Sequence, residues 1–192
     1  MVLRIHKIVF VGSLALVVAA VLALAGPLAG TASASPCKRF GNTMPNHLSH
    51  RHARMAVRCF LNRKREHHGL HNLRTNSRLK RAAQKHTDYM QRDKCFDHEC
   101  PGERSVLGRL EHVNYIVGGL RRWLYGENIA YGGSHYGTPK AIFRAWMHSP
   151  EHRHNILNPG FRQIGIGFAR GIPPNPGSSG STFTTDFGMR QH

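Results

Sequence analysis

Apolar residues recur every three or four positions in two consecutive segments of the chain. Ala53 and Leu61 lie on the first such stripe, which runs from about residue 52 to 68. This spacing predicts an amphipathic helix, and Gly69 is the glycine expected just beyond its last turn. The same spacing returns from about residue 77 to 93 and predicts a second helix.

The second half of the chain changes from helical to alternating patterns. The segment "GTPKAIFRAWMHSP" predicts a third long helix with Thr138 as its N-cap, and shorter helices are expected near residues 105–112 and 150–157. The segments "QIGIGFARG" and "STFTTDFG" alternate large and small or polar residues, which predicts two strands. Helices on both sides of a small antiparallel sheet give an α+β fold, an α-β-α sandwich.

The N-terminus has the pattern of a secretory signal. Arg4 and Lys7 precede an apolar run over residues 8–25, and the small residues of "TASAS" predict cleavage after Ala34. An uncleaved membrane anchor is the alternative, because a run of this length can just span a bilayer. The predicted organisation is a signal peptide over residues 1–34, an irregular basic lead-in over 35–50 and a single domain over 51–192.

Four cysteines in an exported chain predict two disulfides. Among the three possible connectivities we favour Cys37–Cys59 with Cys95–Cys100. The second pair closes a small loop, and the first ties a loose N-terminus to a helix.

Positive charge is concentrated in the N-terminal half. The full chain has a net charge of +17, and residues 35–94 hold most of its Lys and Arg but only Glu66, Asp88 and Asp93 among its acidic residues. An exported basic protein is expected to meet anionic cell-wall polymers, glycans or lipid head groups, whereas no specific nucleic acid is expected. A solvated face that only aids solubility is the alternative. The residues predicted to bind such a surface are Arg54, Arg58, Arg63, Lys64, Arg78, Lys80, Arg81 and Lys85.

Five short motifs follow one another in a characteristic order. They are "CFDHECP", "YGENIA", "AWMHSPEHRHNIL", "IGIGFA" and "TTDFG". In this order and spacing, the chain from about Val57 to Gly188 closely resembles the bacterial branch of the CAP superfamily, which comprises cysteine-rich secretory proteins, antigen 5 and pathogenesis-related proteins. The resemblance implies an α-β-α sandwich, a secreted protein, and a central cleft lined by two histidines and two acidic residues.

The motifs assign residues of this chain to that cleft. The resemblance implies that His98, Glu127 and His152 line it, and it places Ser149 where eukaryotic members have the second acidic residue. Two imidazoles and a carboxylate suit zinc or another divalent metal, with water or substrate at the open position. A hydrogen-bonded pair of His98 with Glu127 that merely stiffens the surrounding loops is the alternative.

Other residues near these motifs have simpler explanations. We expect His148 and His154 to be surface residues, Asn155 to bind loop backbone, and His86 to be a core histidine with satisfied hydrogen bonds. Aromatic residues around "YGENIA" could line a cleft for sugar or lipid, although packing is the stronger expectation. They are Trp123, Tyr125, Tyr131 and Tyr136.

Three functions remain open from the sequence. The first is a secreted module that binds a ligand or an anionic surface in the envelope or the medium. The second is a metal-assisted hydrolase that uses His98, Glu127 and His152. The third is a cationic, toxin-like protein that acts on other cells. No nucleophile with its base is visible in the sequence, so binding is preferred to catalysis.

Overall fold

The computed structural model describes residues 34–192, and the predicted signal peptide falls on residues before this range. Helices and strands occur in mixed order along the described residues. The helices are α1 (Pro36–Phe40), α2 (His50–His67), α3 (Ser77–Arg92), α4 (Val106–His112), α5 (Pro139–His148) and α6 (Pro150–Leu157). The strands are β1 (Arg74–Thr75), β2 (Arg122–Gly133), β3 (Gln163–Arg170) and β4 (Gly180–Gln191).

The predicted helices and their ends are confirmed. Side-chain oxygens cap the first turns of two helices. Asn76 accepts hydrogen bonds from backbone N–H groups of α3, and Thr138 accepts one from the backbone N–H of Ala141 in α5. Gly69 follows α2 with a φ of 67°, a conformation that favours glycine. Strands β3 and β4 also form where the alternation predicts them.

Three segments differ from the sequence-based expectation, and one of them is the two-residue strand β1, which was not predicted. The lead-in is not irregular, since it contains α1 and a 3-10 turn at Pro45–His47. Strand β2, which was not predicted, is as long as β4 and pairs with it over its whole length. The segment around "YGENIA" is therefore strand and not loop.

The sheet is mixed and has the order β1-β3-β4-β2. Strand β4 pairs antiparallel with both β2 and β3, whereas the short β1 pairs parallel with β3. The expectation of an antiparallel sheet thus holds except for β1. Among the described residues, β2 has a partner on one side only and forms an edge of the sheet.

Helices cover both faces of the sheet. On one face, α3 lies so close to β3 that a Cβ at Gly165 or Gly167 would meet its backbone, so these positions need glycine. On the other face, Val57, Trp146 and Ile156 of α2, α5 and α6 pack against β3 and β4 in the main hydrophobic core. This arrangement is the predicted α-β-α sandwich.

A buried arginine joins α2 to the segment that follows α6. The guanidinium of Arg65 is fully buried and donates to the backbone carbonyls of Ile156, Asn158, Phe161 and His71. Two of these carbonyls, those of Ile156 and Phe161, lie in the interior, where a polar group needs a partner. Arg65 therefore fixes the position of α6 against α2.

Both predicted disulfides are confirmed. Cys37–Cys59 joins α1 to α2, and Cys95–Cys100 closes the loop that follows α3. The described residues belong to one compact unit. No helix within residues 34–192 has the length and apolar character needed to cross a membrane.

Candidate functional site

Two of the predicted cleft residues meet directly. His98 lies in the loop closed by the Cys95–Cys100 disulfide, and Glu127 lies in the middle of β2. The distance from His98 Nδ1 to Glu127 Oε1 is 2.7 Å. The His98 side chain is 47% exposed and that of Glu127 only 2%. A buried carboxylate thus orients a histidine that solvent can reach.

The second oxygen of Glu127 binds an arginine that the sequence did not indicate. Arg109 of α4 donates from Nη2 to Glu127 Oε2 at 2.6 Å and from Nη1 to the backbone carbonyl of His98 at 2.7 Å. Its Nη1 also lies 3.5 Å from Glu103 Oε2. Arg109 is itself buried, so this is a charge-assisted network in the interior. It holds the His98 loop and β2 together.

His86 on the inner face of α3 is a core histidine, as expected. It is fully buried, and its Nδ1 lies 2.8 Å from Glu103 Oε2. Its hydrogen bonding is only half satisfied, however. His86 Nε2 has no hydrogen-bond partner among the described residues and lies 3.9 Å from Glu127 Oε1. Burial lowers the pKa of His86 and favours its neutral form, against the opposing effect of Glu127.

Asp186 places a second carboxyl group beside Glu127. The two residues are cross-strand neighbours in the pairing of β2 with β4, and Asp186 is almost completely buried. Neither carboxyl oxygen of Asp186 has a hydrogen-bond partner among the described residues. Burial, followed by the negative charge of Glu127, raises the pKa of Asp186 well above its ordinary value. We therefore expect Asp186 to carry a proton while Glu127 is ionised.

Opposing effects decide the pKa of Glu127. Burial alone would raise it, but the hydrogen bond from His98 and the positive charge of Arg109 prevail and lower it. In turn, the hydrogen bond to Glu127 raises the pKa of His98, against the effect of partial burial. The site therefore favours an ionised Glu127 with a protonated His98.

The third predicted cleft residue, His152, lies on α6 and is half-buried. Burial lowers its pKa, and the positive charge of the nearby His98 lowers it further. The backbone around it is held by amides, since Asn128 donates to the carbonyl of His152 and Asn155 donates to the carbonyl of Glu127. Asn155 thus binds backbone, as predicted.

The remaining residues of the histidine-rich motif lie outside this network. His148 and His154 are exposed, which confirms that they are surface residues. Ser149 stands between α5 and α6, and its side chain caps neither helix. Among residues 34–192, no serine, threonine or cysteine side chain hydrogen-bonds to the His98 or His152 ring.

The arrangement as it stands does not fit a three-ligand zinc site. Both oxygens of Glu127 already accept hydrogen bonds, one from His98 and one from Arg109. The carboxylate therefore orients His98, and neither of its oxygens is left without a partner for a metal ion. Within the described part of the chain, no three His, Cys, Asp or Glu residues are grouped to hold a metal ion. An imidazole whose Nδ1 binds a carboxylate keeps Nε2 for another ligand. Metal binding by His98, Glu127 and His152 stays a prediction.

The basic residues predicted on α2 and α3 are divided between surface and groove. Three of the eight are half-buried, and Arg54 donates to the carbonyl of Ile166 and to Gln84. A cavity of about 80 Å³ lies at the β1 edge of the sheet, where residues of α2, α3, β1 and β3 line it. Its cationic lining residues are Arg54, Arg58 and Lys80. The exposed members are Arg63, Arg78, Lys80, Arg81 and Lys85, and the half-buried ones are Arg54, Arg58 and Lys64.

Two solved structures of bacterial proteins, one extracellular and one from an outer surface, share this fold. An extracellular protein containing an SCP domain from Bacillus anthracis strain Ames has a TM-score of 0.55 at 24% identity, and the match covers 73% of this chain and 43% of that one. An outer surface protein from Borrelia burgdorferi has a TM-score of 0.61 at 17% identity, with coverage of 75% and 97%. These similarities show the fold alone.

Sequence comparison gives the family. The uncharacterized protein YkwD of Bacillus subtilis strain 168 is 33% identical over 126 residues, which make up 66% of this chain and 43% of that protein. The chain thus spans less than half the length of this relative. A model of the cysteine-rich secretory protein family, CAP, matches residues 60–173. The chain belongs to the CAP family of cysteine-rich secretory proteins.

Proposed function

We propose that this chain is an exported CAP-domain module that binds an anionic polymer or anionic head groups at a cell surface. Export is supported by the signal-like N-terminus and by structural neighbours that are extracellular or outer-surface proteins. The basic residues of α2 and α3 would make the contact. A shared fold does not by itself determine activity, so the proposal depends on the charges of this chain.

The observation that carries this proposal is the cationic groove between α2 and α3. Arg54, Arg58 and Lys80 come from two different helices and line the same small cavity at the β1 edge of the sheet. Its floor includes Ile164 and Ile166, so an anion bound there would be partly shielded from water. Opposite charges attract more strongly in such a setting than on an open surface. The exposed basic residues around the groove would add long-range attraction.

Binding of this kind should depend on salt. The screening length falls from about 10 Å at 0.1 M salt to about 3 Å at 1 M. We therefore expect the protein to be retained on cell-wall material and on anionic vesicles at low salt and to be released at high salt. Comparison of the two materials separates a wall polymer from lipid head groups as the source of negative charge.

A matched pair of double variants tests the location of the site. Arg58→Gln with Lys80→Gln removes two charges from the groove, and Arg122→Gln with Arg144→Gln removes two charges elsewhere. The first double variant should elute at clearly lower salt than the second. The proposal is refuted if retention does not change with salt concentration, or if both double variants elute at equally reduced salt concentrations.

A hydrolase is the second candidate, and the His98–Glu127 pair favours it. An imidazole held by a buried carboxylate has the base–orienter geometry that hydrolases use. Assays of the purified protein against peptide and cell-wall polymer, with and without a chelator, test this candidate. Turnover that the chelator abolishes and that His98→Ala lacks would support a metal-assisted hydrolase. No turnover under either condition would leave the binding function.

A further inference from the structure

Aromatic side chains lie in a row on the outer part of the sheet, on the same face of β2 as Glu127. Alternate residues of a strand share a face, so Trp123, Tyr125 and Tyr131 lie on the Glu127 side. Their exposed fractions are 39%, 38% and 40%. Packing was the stronger expectation for these residues, and it holds only in part, because each side chain keeps more than a third of its surface exposed.

The layers of the sandwich explain this exposure. Helix α3 packs closely on β3, and its Thr87 bonds to Thr184 of β4. Strand β2 lies beyond β4 at the sheet edge. The described helices therefore leave the two ends of this face of β2 in contact with solvent, where large aromatic side chains lie, whereas Glu127 and Ile129 between them are buried.

The rings are held in two groups, one on each side of the cleft residues. Trp123 and Tyr125 have ring centroids 5.8 Å apart and planes inclined by only 26°. Tyr131 meets Phe96 edge to face, with centroids 4.7 Å apart. Phe96 lies in the same disulfide-closed loop as His98. We call Trp123, Tyr125, Tyr131 and Phe96 the aromatic row.

The length of the aromatic row suits an extended polymer. Trp123 and Tyr131 are eight residues apart on one strand, which corresponds to about 27 Å at about 3.4 Å per residue. Between the two groups lie the polar atoms of His98 and Glu127. A ligand that spans the row must therefore offer apolar surface at both ends and hydrogen-bonding groups in the middle.

This chemistry distinguishes among classes of ligand. A lipid tail prefers continuous apolar surface, but a polar cleft interrupts the row. A nucleic acid needs cations along its phosphates, but Arg122 and Arg190 lie only at the Trp123 end of the row, and the acidic Glu127 lies at its middle. A polysaccharide has ring faces of C–H groups, which stack on the electron-rich faces of aromatic rings, and hydroxyl groups along its edges. Pyranoses whose substituents are all equatorial present the flattest C–H faces.

We propose that the aromatic row binds an uncharged polysaccharide of β-linked, equatorially substituted pyranoses. One end of the chain stacks on Trp123 and Tyr125, and the other end contacts Tyr131 and Phe96. Its hydroxyl groups face His98 between them. This site is separate from the cationic groove of α2 and α3, and it stands whether or not that groove binds anions.

Tryptophan fluorescence and calorimetry with defined sugars test this site. The chain has two tryptophans, and the other one, Trp146, is only 1% exposed, so a ligand at the row should change the signal of Trp123 alone. We expect cellohexaose or chitohexaose to bind, with an affinity that is the same at 0.1 M and 1 M salt. An α-linked dextran oligosaccharide of similar length should bind more weakly.

Matched variants locate the binding. Trp123→Ala and Tyr125→Ala should each weaken affinity by about fivefold to tenfold, as expected for the loss of one stacked ring. Tyr136→Ala is the control, because Tyr136 is 67% exposed but lies outside β2 beside His135. Thermal unfolding of all three variants shows whether each is folded.

Several results would overturn the proposal. They are no binding of either β-linked hexasaccharide by the parent protein, an equal loss for Tyr136→Ala, and full binding by folded Trp123→Ala. Binding of a single-stranded oligonucleotide or of neutral lipid vesicles at the row, without sugar binding, would assign it to another ligand. Because the hexasaccharides are uncharged, failure here leaves the salt-dependent binding by α2 and α3 unaffected.

Discussion

One buried carboxylate, Glu127, sets the protonation of its neighbours. It accepts hydrogen bonds from His98 and Arg109, and it lies across the strand pair from Asp186. Because Glu127 stays ionised, a positive charge on His98 is favoured and a negative charge on Asp186 is opposed. The three groups therefore titrate as a coupled set.

The pKa of His98 should fall when this carboxylate is neutralised. Glu127→Gln keeps the shape of the side chain but removes the charge that favours imidazolium. A folded-state pKa above 6.5 gives stability that is fully present below pH 6.5 and is lost as the pH rises through the folded pKa. NMR titration of the His98 ring should show the lower pKa, and this part of the pH dependence of stability should disappear. Glu151→Gln, an exposed change next to His152, should leave the His98 titration unaltered.

Asp186 should make the protein less stable as the pH rises. The pKa of Asp186 is higher in the folded than in the unfolded state. The stability that this difference contributes is fully present below the unfolded pKa of about 4 and is lost as the pH rises through the folded pKa. Asp186→Asn imitates the protonated form. The free energy of unfolding of Asp186→Asn minus that of the parent should be larger at high pH than at low pH, by on the order of 1–3 kcal/mol. Urea unfolding across the pH range measures this, and the exposed Asp88→Asn should follow the parent curve.

Sequence reasoning reached only part of this site. Motif resemblance indicated His98, Glu127 and His152, because each lies in a recognisable short segment. It missed Arg109 and Asp186, whose roles depend on contacts with residues far away in the chain. The available signal for Asp186 was an acidic residue in the strand motif "TTDFG". An acid that faces the interior of a central strand must be neutralised or paired with another polar group.

At the scale of elements, local patterns predicted helices α2 to α6 well but missed helix α1 and the strands β1 and β2. Helices α2 and α3 have regular stripes and caps, so neighbouring residues suffice to define them. Strand β2 has three glycines and two buried polar residues at its centre, Glu127 and Asn128. The hydrogen-bond partners of these two side chains lie on α4, on α6 and in the His98 loop. Because distant contacts stabilise this strand, its own sequence does not alternate regularly between apolar and polar residues.

The link between α2 and α6 can be tested through Arg65. Arg65→Ala removes the donors for four backbone carbonyls and leaves a cavity, so the free energy of unfolding should fall by about 3 kcal/mol or more. Arg63→Ala is the matched control, because Arg63 is exposed on the same helix. It should change stability by less than about 0.5 kcal/mol. Similar losses in the two variants, measured by urea unfolding, would contradict this role of Arg65.

At the scale of the whole molecule, the two disulfides should contribute unequally. Cys37–Cys59 closes a loop with a sequence separation of 22, and Cys95–Cys100 closes one with a separation of 5. Chain entropy predicts losses of about 3 and about 2 kcal/mol, respectively, when each pair is replaced by serines. Chemical denaturation of the two double variants measures the difference. A larger loss from the short loop would mean that local strain or packing outweighs chain entropy.

The small disulfide loop also links the geometry around His98 to the redox conditions in which the protein is made. Cys95–Cys100 encloses Phe96 and His98, so the loop that faces β2 is closed only after these two thiols are oxidised. In a reducing compartment the two thiols stay unpaired, and the disulfide does not hold this loop. We therefore expect protein produced in a reducing host and protein produced in an oxidising host to differ around His98. The choice of production host thus decides which form of the cleft an assay examines.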